Sequence, residues 1–246
     1  MAGFYLTIKQ IIRAFIRKDF SKNRSAPSIS ESRQRILAIG LINSEQITAY
    51  TNSLTTGLSK DRILQILTEA WDINDREKAL NIVEWLQKEG HRGYYSKIYP
   101  LIEKSKDVRN EQLRILFEEN AEEAILFANN LAECISELGN DDFAAFNDNN
   151  LKKGIYAWDL GRLVVIARLL FDIGYINEKT AWSIIDEAYK AAAKEYTSWK
   201  ELAVAYLIGR GMWNGENIVL NGLYVIAKNA FKNAGSPWKY ISFSTE

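Results

Sequence analysis

The sequence predicts an all-α protein: one compact multi-helix domain around a buried central helix at about 155–173, with an amphipathic helix appended at the N-terminus. Three observations carry this reading. Apolar residues recur at three- and four-residue intervals along almost the whole chain, the signature of helices with one buried stripe. No stretch alternates apolar and polar residues between turn signals, so no sheet is expected. Only 3 prolines interrupt 246 residues. With 47% hydrophobic and 25% charged residues the chain is neither disordered nor fibrous. A chain this long buries roughly 70% or more of its unfolded surface without disulfide or metal staples.

Taken in order, residues 1–28 read as a basic amphipathic helix followed by a linker. Phe4, Ile8, Ile11, Ile12, Phe15 and Ile16 share one face, while Lys9, Arg13, Arg17, Lys18, Lys22 and Arg24 outnumber Asp19 by five. Ser21 to Ser30 is polar and holds Pro27, and the compact domain is expected over 29–235. Ile63, Leu64, Leu67 and Trp71 form a first stripe. Ala79, Ile82, Val83 and Leu86 form a second, with Asn74 and Glu77 read as its N-cap and capping-box partner. A longer stripe runs through Leu113, Leu116, Ala124, Ala128, Leu131, Ile135 and Leu138.

Leu163, Val164, Val165, Ile166, Ala167, Leu169 and Leu170 cover nearly the whole circumference of the next helix, which must therefore lie at the centre. Ala181, Trp182, Ile185, Ala188, Tyr189 and Ala192 follow the helical template closely. Ser198 and Glu201 form a capping box for a helix burying Trp199, Leu202, Ala203 and Tyr206. A last stripe runs from Val219 to Phe231, and 236–246 reads as a tail. Gly57, Gly90, Gly139 and Gly174 stand where helices are expected to end.

Formal net charge is zero, with 31 basic and 31 acidic side chains. That gives no global field for phosphates, so no nucleic-acid partner is expected. The neutrality is a sum of opposites: from Glu103 to Asp148 twelve acids face four bases. Such a face suits docking to a basic partner. The N-terminal helix suits a partner groove, an anionic membrane surface through residues 4–20, or packing on the protein's own body. Cys134 is the only cysteine and sits in an apolar stripe, which makes it a core residue. With one histidine besides, neither a metal site nor a cofactor is expected. No clean signal sequence or membrane span is visible, and the default location is cytoplasmic, with peripheral membrane attachment as the alternative.

Catalytic vocabulary is missing. Gly209 and Gly211 begin a G-x-G, but Asn214 occupies the third position and no strand precedes it, so a dinucleotide site is not supported. What remains is a set of polar residues beside tryptophans at helix ends. Trp71 and Asp72 precede Arg76, and Gly90, His91 and Arg92 close the following helix. Trp158, Asp159 and Arg162 open the central helix, Ser198 and Trp199 open another, and Arg210 and Trp213 end it. Asp159 and Arg162 are i, i+3 neighbours on a helix predicted to be buried, where charges must be paired or hydrogen-bonded. They act there as a packing lock or as part of a ligand site, with His91 and Asp159 the weak acid–base candidates.

The ordered set resembles the bacterial YbeU/YbeR-like family of unknown function over residues 30–215. It carries W71-D72, W85-L86 before G90-H91-R92, W158-D159-L160-G161-R162, G174-Y175-I176, S198-W199 and G209-R210-G211-M212-W213. The resemblance implies no reaction, substrate or cofactor. It implies that Trp71, His91, Arg92, Trp158, Asp159, Arg162, Ser198, Trp199, Arg210 and Trp213 belong to one shared constellation.

The leading expectation is a non-catalytic bacterial protein that binds another macromolecule, in a toxin–immunity or secretion-associated setting. The alternative from a different class is an enzyme or small-ligand binder whose pocket of Arg, His, Asp and Trp takes a phosphate- or carboxylate-bearing ligand. Convergence of those side chains on one concavity separates the two.

Overall fold

The helix at the centre, Tyr156–Asp172, begins just after Gly154 and stops at Ile173–Gly174, and every residue from Ala157 to Leu170 is buried. The computed structural model describes residues 19–244, which are about 70% helical with no strand. Numbered in chain order, the helices are α1 Glu31–Leu37, α2 Leu41–Gln46, α3 Lys60–Trp71, α4 Arg76–Lys88, α5 Arg92–Ile98, α6 Lys106–Phe117 and α7 Ala121–Leu138. They continue with α8 Asp148–Leu151, the central α9, α10 Glu178–Glu195, α11 Trp199–Asn214, α12 Ile218–Lys232 and α13 Pro237–Tyr240. Helices α10, α11, α4 and α2 pack directly around α9, and α7 packs on α11. The all-α architecture with a surrounded central helix is thus the observed one.

Close approach of α9 and α11 depends on glycine. A Cβ at Gly209 would stand 2.5 Å from the Cβ of Trp158, and one at Gly161 would meet Asn43 Oδ1 at 2.8 Å. The Gly209/Gly211 pair, set aside as a phosphate loop, is therefore a contact surface between helices, with Gly211 resting on Cys134 and Phe146. Cys134 is fully buried, and burial pushes its thiol up to about 12, so it is an inert core residue.

The caps refine the sequence reading. Ser198 accepts from Glu201 N–H at 3.2 Å as expected, although Glu201 reaches back to Thr197 N–H rather than to its own cap. Helix α4 is capped by Asp75, not Asn74: the Asp75 carboxylate accepts from Lys78 N–H at 2.8 Å, and an acid at that end also meets the helix dipole. In α3 the buried stripe is Ile63, Ile66 and Leu67, with Leu64 exposed. The stripe read from Leu113 to Leu138 is two helices, broken at Glu118–Asn120 where Glu118 adopts φ 47°, and Leu116 faces solvent. Gly57 precedes α3 instead of ending a helix, and Gly139 is right-handed.

At the C-terminus, residues 236–244 are packed. Trp238 and Phe243 are buried, and Trp238 Nε1–H donates to Ala38 O at 2.8 Å across the fold. Residues 19–28 join the body through Phe20, which is buried, and through the Asn23–Asn52 contact. The amphipathic segment read at 4–20 lies outside the described residues except for its last two. Among the described residues no helix is long and apolar enough to cross a membrane.

Candidate functional site

Asp159 organises one end of the central helix. Its carboxylate is wholly buried and takes four donors from a single neighbouring turn and its own helix. Oδ1 accepts from His91 N–H at 2.9 Å and from Arg162 Nη2 at 2.5 Å. Oδ2 accepts from Arg92 N–H at 3.1 Å and from Arg92 Nη1 at 3.2 Å. The carboxylate thus fills the N-terminus of α5, where a bound anion would otherwise be held. Gly90 makes the approach workable: it sits at φ 56°, and a Cβ there would fall 2.3 Å from the Asp159 carboxylate carbon.

Arg92 completes the turn. Nη1 and Nη2 donate to Leu86 O and Gln87 O, the open carbonyls at the end of α4, and the guanidinium lies 3.9 Å from the Tyr156 ring centre. Arg162 donates from Nε to Trp158 O and from Nη2 to His91 Nδ1 at 2.8 Å. Because a guanidinium only donates, His91 Nδ1 must accept, which leaves its proton on Nε2 and the ring neutral. Burial, reinforced by Arg162, pushes the imidazole down to about 2. His91 is therefore a neutral hydrogen-bonding group at physiological pH, and Asp159 is fully engaged as an ion-pair partner. Neither is poised for proton transfer in this arrangement.

Above this lock lies a cavity of about 710 Å³, within the roughly 300–1,000 Å³ of small-molecule sites. Trp71 from the end of α3, Trp85 from α4 and His91 form one wall. Tyr94, Glu123 and Phe127 of α5 and α7 form another, with the Tyr94 hydroxyl donating to Glu123 at 2.7 Å. Trp158 and Arg162 from α9 and Arg210 and Trp213 from α11 line it as well. Asn43, Gln46, Thr68, Ala70 and Asp72 complete the lining. The Arg162 guanidinium lies 4.4 Å from the Trp158 ring centre, 5.5 Å from that of Trp71 and 5.8 Å from that of Trp85.

Arg210 is the exceptional member. It is 2% exposed, yet among the described residues it has no hydrogen bond and no carboxylate partner, and its Nη1 is fully buried and unsatisfied. The Trp213 ring lies 5.1 Å from the guanidinium carbon, and the other polar neighbours of Arg210, the Tyr206 hydroxyl and the Cys134 thiol, carry no charge at neutral pH. Burial lowers its pKa to about 10, which still leaves it charged at neutral pH. The indole N–H of Trp158 is likewise buried without an acceptor. One carboxylate, Asp159, thus serves both Arg92 and Arg162, while Arg210 has none.

Of the residues expected in one constellation, Trp71, Asp72, His91, Trp158, Arg162, Arg210 and Trp213 line this cavity, and Asp159 and Arg92 support it from below. Ser198 and Trp199 do not join them. They occupy the opposite end of α11, where Ser198 caps the helix and Trp199 stacks on Trp238 at 5.6 Å and donates to Ile241 O. Asp72 stands at the rim in the left-handed conformation, 3.1 Å from Lys78. The sequence reading missed Asn43, Gln46, Tyr94, Glu123 and Phe127 as lining residues. Trp85 stood in the motif without being assigned a place. Glu123 and Phe127 are i, i+4 on α7, a spacing that puts them on one face but does not say which.

A family model described as Protein of unknown function (DUF1266) matches residues 66–243. The chain belongs to this family. The DUF1266 match starts later and ends later than the resemblance predicted, taking in the packed C-terminal segment and every lining residue except Asn43 and Gln46. No curated protein and no solved structure matches the chain.

Proposed function

We propose that this DUF1266 protein binds a small anionic ligand in the cavity bounded by Trp71, His91, Trp158 and Arg210. The observation that carries the reading is Arg210: a guanidinium buried without a carboxylate or a hydrogen bond, beside an open concavity. An isolated buried charge is costly, so a ligand that supplies the missing negative charge recovers interactions the free protein lacks. The Asp159 charge is shared between Arg92 and Arg162, and the two carboxylates in the lining, Glu123 and Asp72, are engaged by the Tyr94 hydroxyl and Lys78, so none of the three pairs with Arg210.

The test is calorimetric titration of the full chain with acetate, benzoate and inorganic phosphate at constant ionic strength, repeated on Arg210→Met. Saturable binding that weakens on the order of 10- to 100-fold in the variant supports the reading. Binding that is absent, or unchanged by the substitution, overturns it.

The protein-binding reading keeps one observation of its own. Val108, Ile115, Leu116 and Leu126 are exposed on α6 and α7 within the acid-rich stretch, with Ile115 72% accessible. We offer these exposed apolar side chains as a second, independent proposal: together they would dock a protein with an apolar centre and a basic rim. Ile115→Glu and Leu126→Glu together should abolish capture of such a partner while leaving anion binding intact. The YbeU/YbeR-like affiliation within DUF1266 is likewise proposed, on the order of the motifs.

A further inference from the structure

The geometry points to a narrower ligand class: a flat aromatic carboxylate, its carboxylate held by Arg210 and its ring lodged among the indoles. This inference rests on the anion-binding reading above and specifies its substrate class.

The head group follows from the donors left free. Arg92 is engaged by Leu86 O, Gln87 O and Asp159, and two of the three nitrogens of Arg162 are engaged by Trp158 O, Asp159 and His91. The backbone N–H pair of His91 and Arg92, which would suit a phosphate, is already filled by Asp159. Of the three arginines at the cavity, Arg210 alone has a guanidinium with no hydrogen bond among the described residues. One planar fork matches one planar carboxylate through two parallel hydrogen bonds. A phosphate monoester, with three terminal oxygens and up to two charges, would leave part of its demand unmet.

The body of the ligand follows from the walls. Trp71, Trp85, Phe127, Trp158 and Trp213 surround the cavity, and no leucine, isoleucine or valine lines it. Flat rings gain from offset or edge contact with such walls beyond the area they bury. An aromatic cage can also hold a quaternary ammonium, but here Arg162 already lies near the faces of Trp71, Trp85 and Trp158, and Arg210 near that of Trp213. These guanidiniums supply the cations and repel another.

The experiment compares four probes on the full chain by calorimetric titration: 2-naphthoate, 2-naphthamide with the ring but no charge, cyclohexanecarboxylate with the charge but no aromatic ring, and inorganic phosphate. The expected result is 2-naphthoate binding at least about 10-fold tighter than each of the others. Arg210→Met should weaken it on the order of 10- to 100-fold, and Arg210→Lys, which keeps the charge but loses the fork, by less. Trp71→Leu, which removes a ring that does not hold Arg210, should weaken 2-naphthoate by a larger factor than cyclohexanecarboxylate, a difference that general unfolding would not produce. If cyclohexanecarboxylate or phosphate binds as tightly as 2-naphthoate in an Arg210-dependent way, the aromatic assignment fails and the anion site stands. If no anion binds in an Arg210-dependent way, both fail.

Discussion

Two buried guanidiniums, Arg168 on the central helix and Arg210 on α11, show how alike two residues can be in burial and charge while differing in purpose. Both are at most 2% exposed, and burial lowers the pKa of each to about 10. Arg168, on the second half of α9, donates to the carbonyls of Tyr50, Ser53, Leu54 and Thr55 and to Ser44 Oγ. It gathers the loop between α2 and α3 onto the core, and Asp172 four residues later holds Thr56 in the same loop. Arg210 has none of this. A saturated buried charge is part of the fold, whereas an unsatisfied one facing a cavity marks a place where something else completes the structure.

The contrast can be broken first where its structural side is strongest. Arg168→Met should cost about 3–5 kcal/mol, since it strips a gathered loop of its donors, and Asp159→Ala should cost a similar amount by leaving Arg92 and Arg162 unpaired. Urea unfolding followed by far-UV circular dichroism measures both. Losses below about 1 kcal/mol would mean that these networks do not hold the fold.

A smaller effect is expected from His91. Its pKa is depressed from 6.5 in the unfolded chain to about 2 in the fold, so the unfolded state takes up the proton first as pH falls. The stabilisation is present above pH 6.5 and is lost progressively towards pH 2. Between pH 7 and pH 5 wild type should lose about 2 kcal/mol more stability than His91→Asn. Equal pH dependence in the two proteins would show that the ring is not held neutral. Gly90→Ala should cost about 1–3 kcal/mol from its backbone conformation alone. It should also weaken anion binding, because displacing the Asp159 carboxylate would shift His91 and Arg162, which line the cavity.

How far the sequence revealed this follows from the same residues. The central helix was legible because its apolar residues run all the way round, and a charge on such a helix has to be paired wherever the fold puts it. Asp159 and Arg162 stand out in the sequence for that reason. Arg210 and Trp213 were visible for the same reason, as polar and aromatic residues ending an apolar helix. Ser198 and Trp199 were grouped with them wrongly, because a cap followed by a tryptophan looks the same at either end of α11. Asn43, Glu123 and Phe127 gave no local signal: they reach the cavity only because α2 and α7 pack where they do, and that is a property of the assembled bundle. The break at Glu118 was hidden by an apolar stripe that continues in phase across two helices.

The smallest expected change in stability is also the most telling. Arg210→Met removes a buried charge that no protein group compensates, so in the absence of ligand the variant should be as stable as wild type or more stable. Urea unfolding of wild type, Arg168→Met and Arg210→Met side by side, without added anions other than buffer chloride, measures this directly. A large loss is expected for Arg168→Met and none for Arg210→Met. A loss for Arg210→Met as large as that for Arg168→Met would contradict it, because Arg210 would then be holding the fold together instead of awaiting a ligand.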